Sequence, residues 1–156
     1  MAVTANPYVA RLDALALECP KELGTSAWTA VSSREADVFD RLVGQPIDFA
    51  LHPPGPVRPA PVNPFQLLGL LSNFSSELGI PVPTDDYVTM LNYGFDDVQW
   101  HAPVEAGTRV RAHVVLTEVR KRAADQYLMI KRHELFAEPR PEPVMTAYAL
   151  GLAVLL

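Results

Sequence analysis

The sequence predicts an α+β fold in which an antiparallel sheet wraps around one long central helix. Three observations carry this. The stretch Asn63 to Gly79, NPFQLLGLLSNFSSELG, has helix signals at both ends and apolar residues around most of its circumference. The chain after it changes to period-two alternation over three or four long segments. The chain before it holds two shorter helical stripes and one short strand.

Taken in order, Tyr8, Val9, Leu12, Leu15 and Leu17 have the spacing of a short amphipathic helix, ended by Pro20. Trp28 to Val31 reads as a first strand. Ser32 and Glu35 have capping-box spacing, and Val38, Phe39, Leu42 and Val43 form a second helical stripe that Gly44 ends. Residues 45–61 are a polar, proline-rich loop containing Asp48 and His52, and loops of this length are often functional.

The central helix then starts on Asn63, a good N-cap, with Pro64 at the first helical position, where a missing N–H costs nothing. Phe65, Leu67, Leu68, Leu70, Leu71, Phe74 and Leu78 predict a helix buried nearly all round. Gly79 is the expected left-handed cap, and Pro81 and Pro83 prevent continuation. At roughly 24 Å the helix is too short to span a bilayer.

Tyr87 to Tyr93 reads as a strand continuing past a bulge at Gly94 to Trp100. Val110, Ala112, Val114 and Leu116 alternate with Arg109, Arg111, His113 and Thr117, the pattern of a half-buried strand. Arg120 to Asp125 reads as a turn, Tyr127 to Phe136 as the next strand, and Glu138 to Glu142 as a proline-rich turn. The last strand, Val144 to Leu156, has bulky residues on one face and Ala147, Ala149, Gly151 and Ala153 on the other. A face that small fits close packing against a helix.

The length of 156 residues suits one domain, 1–156, without internal repeat or linker. Hydrophobic content of 49% and charged content of 20% exclude a disordered chain. A formal charge of -5 leaves no basic face for nucleic acid. Two small basic clusters, Arg120 to Arg122 and Lys131–Arg132, are read as solvated strand ends or, more sharply, as contacts to phosphates of a carrier or coenzyme A. The single cysteine, Cys19, is read as a structural thiol, and neither it nor the four histidines have metal-ligand spacing. No signal-peptide pattern opens the chain, so a cytoplasmic protein is expected, with no membrane partner, metal or cofactor.

Two early helices followed by long antiparallel strands is the order of a hotdog fold. Lys21 to Gly44, KELGTSAWTAVSSREADVFDRLVG, and Leu91 to Ala112, LNYGFDDVQWHAPVEAGTRVRA, resemble the MaoC-like hydratase/dehydratase family, especially its nodulation-protein-N branch. The resemblance implies a double-hotdog dimer and an acyl thioester substrate on coenzyme A or acyl carrier protein. It also implies an Asp and a His that activate water, with a backbone N–H from an Ala-His-Gly-like turn binding the thioester oxygen.

Each chemical position departs from that pattern. With Gly44 aligned, the family's Asp falls on Gln45, its His on Ala50, and the Ala-His-Gly turn on Val62-Asn63-Pro64. Proline has no N–H to donate. Asp48 and His52, in the same loop, are the candidate replacement acid/base pair; the alternative is a turn-forming Asp and an exposed His. Gln45, Asn63 and Tyr93 are candidate substrate contacts; Asn63 reads equally as an N-cap and Tyr93 as a core aromatic. Trp100 reads as a wall residue.

Three functions fit. One is an enzyme on an acyl thioester with altered chemistry: a lyase, a conjugate-addition or cyclisation enzyme, or a thioester-processing enzyme of polyketide or fatty-acid type. Another is a non-catalytic hotdog subunit beside a catalytic homologue. The third is an acyl-binding module. A homodimer or a heterodimer with a homologous subunit is expected in each.

Overall fold

The structure, a computed structural model, describes residues 6–43, 61–78 and 88–156. Its elements are α1 (Tyr8–Glu18), β1 (Lys21–Thr25), β2 (Thr29–Ala30), α2 (Ser33–Val43), α3 (Pro64–Glu77), β3 (Val88–Trp100), β4 (Arg109–Ala123), β5 (Gln126–Ala137) and β6 (Met145–Leu155). The sheet is antiparallel throughout, in the order β1-β4-β5-β6-β3, with β2 also pairing β4. β3 follows the central helix and lies at the edge opposite β1, so α3 reaches the sheet between the outer strands.

One face of the sheet carries the apolar core. Val110, Ala112, Val114 and Leu116 of β4 are all buried, as their alternation predicts. Val114 pairs with His133 and Leu116 with Lys131, so the odd-numbered residues of β5 share that face. α3 packs over one end of it, through Leu67, Leu71 and Phe74 against Ala112, Val114, Leu135 and Ala147. α1 covers the other end, through Leu12 and Leu15 with Leu116, Tyr127, Met129 and Ala153. Each such side chain stabilises the fold by roughly 1.5–3 kcal/mol relative to exposure. The Tyr127 hydroxyl donates to Asp13 Oδ1 at 2.7 Å and ties α1 to β5. The central helix therefore does not lie alone on the sheet.

Several elements differ from the sequence reading. α3 buries one stripe, Leu67, Leu71, Phe74 and Ser75, not its whole circumference, and Phe65 is 55% exposed. A single sheet offers one surface, so the other apolar positions are left half-covered. Leu17 lies off the α1 stripe and is 89% exposed. The α2 stripe is likewise open: Val38, Leu42 and Val43 are exposed and only Ala36 is buried.

β1 was not legible, because Lys-Glu-Leu-Gly-Thr is charged and half-exposed, as an edge strand is. The expected first strand, Trp28 to Val31, shrinks to two residues in β2. The expected turn at Arg120 to Asp125 is mostly strand: Arg120 pairs with Leu128, Lys121 with Tyr127 and Ala123 with Gln126. Its charges sit on an exposed hairpin, where polarity does not distinguish strand from turn.

Other local signals hold. Ser32 and Glu35 form the capping box, Glu35 N donating to Ser32 Oγ at 3.2 Å and Ser32 N to Glu35 Oε2 at 2.8 Å. The β3–β6 register shifts between Asn92 and Gly94, the bulge the glycine predicts. Ala147 and Ala153 of β6 are buried beneath the helices. Gly79, the expected cap, lies outside the described residues.

Candidate functional site

The start of α3 is where the resemblance places substrate chemistry, and its hydrogen bonds can be followed in full. Val62 N donates to Val104 O at 2.7 Å, which fixes the entry to the helix. Asn63 is buried; its Oδ1 accepts from Phe65 N at 3.0 Å, and its Nδ2 donates to Asp40 Oδ1 at 3.1 Å. Gln66 N and Leu67 N both donate to Asn63 O. Pro64 has no N–H. The first turn therefore keeps no free backbone donor for a thioester oxygen, and the Asn63 amide is committed to the cap and to α2.

Tyr93 is 51% exposed, and the Arg122 guanidinium lies 5.1 Å from its ring centroid. The β3 aromatic that reaches the start of α3 is Trp100, edge-on to Phe65 at 5.7 Å and itself 43% exposed. His101 Nε2 lies 3.0 Å from Thr146 Oγ1 beside it. Gln45, Asp48 and His52 lie outside the described residues. The structure thus separates Tyr93, toward Arg122, from Asn63, in the helix cap.

A second group lies under the C-terminal half of α3 and was missed as a site. His133 of β5 is fully buried, with Nε2 2.7 Å from Ser75 Oγ and Nδ1 3.2 Å from Lys131 O. A carbonyl only accepts, so Nδ1 carries the proton and Ser75 donates to Nε2. Burial pushes the His133 pKa down to about 4, and the Lys131 ammonium nearby acts in the same direction. Lys131 is also on the inner face, 8% exposed, and burial alone lowers its pKa. It lines a cleft of about 210 Å³ with Ser72, Ser75 and Ser76 of α3, Met90, Asn92 and Phe95 of β3, and Ala149 to Gly151 of β6. The sequence signal was available: Lys131 and His133 occupy the same parity as buried Met129 and Leu135.

Ser75 and His133 have the distance of a nucleophile and its base. The imidazole is nevertheless a weak base at neutral pH, since its pKa is about 4. Among the described residues no carboxylate orients it or would stabilise its cation; its other partner is a backbone carbonyl. The pair satisfies two buried polar groups.

The other residues of the two basic clusters are engaged. Arg120 pairs with Glu118 and Arg132 with Glu134, while Lys121 lies over the Tyr127 ring. Lys131 is thus not a solvated strand end, because β5 points it inward. A shallow cleft of about 520 Å³ on the outer face is lined by Trp28, Arg111, His113, Glu138 and Arg140. There the Arg111 guanidinium stacks 4.4 Å over Trp28, and His113 sits between Glu22 and Glu134. The Cys19 thiol donates to Leu15 O at 3.4 Å and is held protonated by burial. Among the described residues no cluster of three His, Cys, Asp or Glu could hold a metal, and no helix is long and apolar enough to cross a membrane.

This architecture is that of known hotdog proteins of the MaoC-like type. It matches a monoamine oxidase regulatory protein from Archaeoglobus fulgius with a TM-score of 0.69 at 16% identity, over 88% of this chain and 90% of that one. It matches the (R)-hydratase of A. caviae involved in PHA biosynthesis at 0.61 and 19%, over 85% and 94%. A 3R-hydroxyacyl-ACP dehydratase complex from Mycobacterium tuberculosis matches at 0.59 and 17%, over 85% and 96%.

By sequence, nodulation protein N of Rhizobium leguminosarum bv. viciae is 32% identical over 136 residues, 81% of each chain. The protein of the same name from Rhizobium meliloti is 29% identical over 140 residues, 85% of this chain and 84% of that one. This chain belongs to the nodulation protein N family. No protein-family model matches it.

Proposed function

We propose that this protein is an enzyme that binds an acyl thioester, on coenzyme A or acyl carrier protein, and processes it with a catalytic set unlike that of the common hydratases. The observation that carries this reading is the first turn of α3. The scaffold is shared with a hydratase and a dehydratase, yet every backbone donor of that turn is engaged within the chain. Enolate charge at a thioester oxygen needs a donor from elsewhere. Asp48 and His52 are the proposed acid/base pair, and Gln45 is a proposed substrate contact. In a hydration, the base would take a proton from water as its oxygen adds to the β-carbon, and the α-carbon would be protonated. A lyase, conjugate-addition, cyclisation or thioester-hydrolysis step in polyketide or fatty-acid-type metabolism is consistent with the same pocket.

The test is turnover of 2-enoyl and 3-hydroxyacyl thioesters, on both carriers, by wild type and His52→Ala, with products identified by mass. Turnover that the variant loses supports the reading. Equal turnover in both removes His52 from the site, and no turnover in either removes the enzyme.

A second reading is a non-catalytic subunit paired with a catalytic homologue. The committed donors favour it, and one structural neighbour is described as a dehydratase complex. β3 also leaves an edge unpaired among the described residues, with Leu91, Tyr93 and Phe95 exposed on it. Such an edge is normally covered, which supports a dimer in either reading. Copurification of a homologue carrying the Asp/His pair, with activity only in the complex, would decide for this reading.

A further inference from the structure

Lys131 is an amine more than nine-tenths removed from solvent, in the middle of β5. Among the described residues no carboxylate lies within ion-pairing distance of it, and burial alone sets the direction of its pKa. A buried, uncompensated cation is costly, and an apolar residue of similar volume is usually at least as stable there. Its neighbours across the sheet, Ala149 on β6 and Leu116 on β4, carry no charge. The nearest polar groups are not counter-ions either. Ser75 is committed to His133, and Ser76 donates to Ser72 O at 2.9 Å.

The amine does line an open space. The cleft of about 210 Å³ has one cationic group, no acidic one among its described lining, and hydroxyl and amide groups from Ser72 and Asn92. Ser75 and Ser76 also line it, and its apolar walls come from Leu71, Met90, Phe95 and Leu150. This volume lies below the roughly 300–1,000 Å³ of sites for drug-sized ligands.

We propose that the cleft between the C-terminal half of α3 and strands β3 and β6 binds a small organic carboxylate, its anionic head paired with Lys131 and its short apolar body against Leu71, Met90 and Phe95. The carboxylate supplies a counter-charge that Lys131 lacks among the described residues, and Ser72 and Asn92 have donors for its second oxygen. Apolar walls select an organic acid over a hydrated inorganic anion, whose desolvation they would not offset. The site is independent of the loop chemistry proposed above, so either can fail alone.

The experiment titrates the full-length protein with hexanoate and with hexanamide, a neutral molecule of the same length, by calorimetry. In parallel, the side-chain resonances of lysine are followed by NMR. The expected result is saturable hexanoate binding at least tenfold tighter than that of hexanamide, with one lysine resonance shifting. Lys131→Met should abolish that preference while melting at the same temperature as wild type, or higher. Equal binding of acid and amide to wild type overturns the proposal without any variant. So does hexanoate binding that survives in Lys131→Met, or no saturable binding up to about 10 mM, where even weak specific sites fill.

Discussion

The start and the C-terminal half of α3 handle polar groups in opposite ways. At the start, Asn63, Asp40, Phe65 N and Gln66 N satisfy one another, and the polar residues there are accounted for by the fold. Toward the C-terminal end, about three turns on, Ser75 and His133 close on each other, but Lys131 beside them has no counter-charge among the described residues. The first arrangement resembles a catalytic mouth in sequence and behaves as a helix cap. The second resembles an ordinary strand in sequence and leaves a cation facing a cleft. Position in a familiar scaffold is therefore a weaker guide to function here than an unmatched buried group.

The comparison can be broken at several points. The largest effect is expected from the apolar stripe that holds both regions in place. Phe74→Ala should cost about 3–5 kcal/mol in urea unfolding, by cavity formation in the core. A loss below about 1 kcal/mol would mean that α3 does not pack on the sheet through this face.

Next in size is a pH effect from His133. Its pKa is about 4 in the folded protein against about 6.5 unfolded, so between these values the unfolded chain binds more protons. Stability should rise with pH across that window, by up to about 3 kcal/mol, and be flat in this respect above it. The Glu35, Glu118 and Glu138 carboxylates, held below the usual range by Ser32, Arg120 and Arg109, act in a lower window, below about pH 4.5. His133→Gln should flatten the unfolding free energy between pH 4.5 and 6.5. A slope unchanged by the substitution would place the titration elsewhere.

Ser75→Ala should cost about 1–3 kcal/mol, because it leaves the His133 Nε2 acceptor buried and unsatisfied. Asn63→Ala should cost about 1 kcal/mol, the usual value of an N-cap. Its effect on any thioester turnover should be small once stability is matched. A large loss of turnover with stability intact would return Asn63 to the substrate site and undo the contrast drawn above.

Much of the architecture was legible because it rests on short-range signals. Asn63-Pro64, the Ser32–Glu35 box, the Gly94 bulge and the alternation in β4 each satisfy a local rule, and each appears where that rule puts it. β1 and the Arg120–Ala123 hairpin arm were not, because edge and hairpin strands are specified by their partner and not by their own pattern. The candidate site divides the same way. The departures at Gln45, Ala50 and Pro64 can be read from residues alone. That Tyr93 turns toward Arg122 while Trp100 meets Phe65 depends on a strand's bulge and register, set by its neighbours.

The starts of α2 and α3, the four long strands and the missing N–H at Pro64 were legible in the sequence, because these follow from contacts a few residues apart. It took the tertiary structure to show that α1 shares the sheet with α3 and that a cleft lined by Ser72, Met90 and Phe95 opens beside Lys131. The reason is that burial and counter-charge belong to residues brought together from different elements. Lys131 meets α3, β3 and β6 only once the sheet has closed around it, and no spacing along the chain encodes the absence of a carboxylate there.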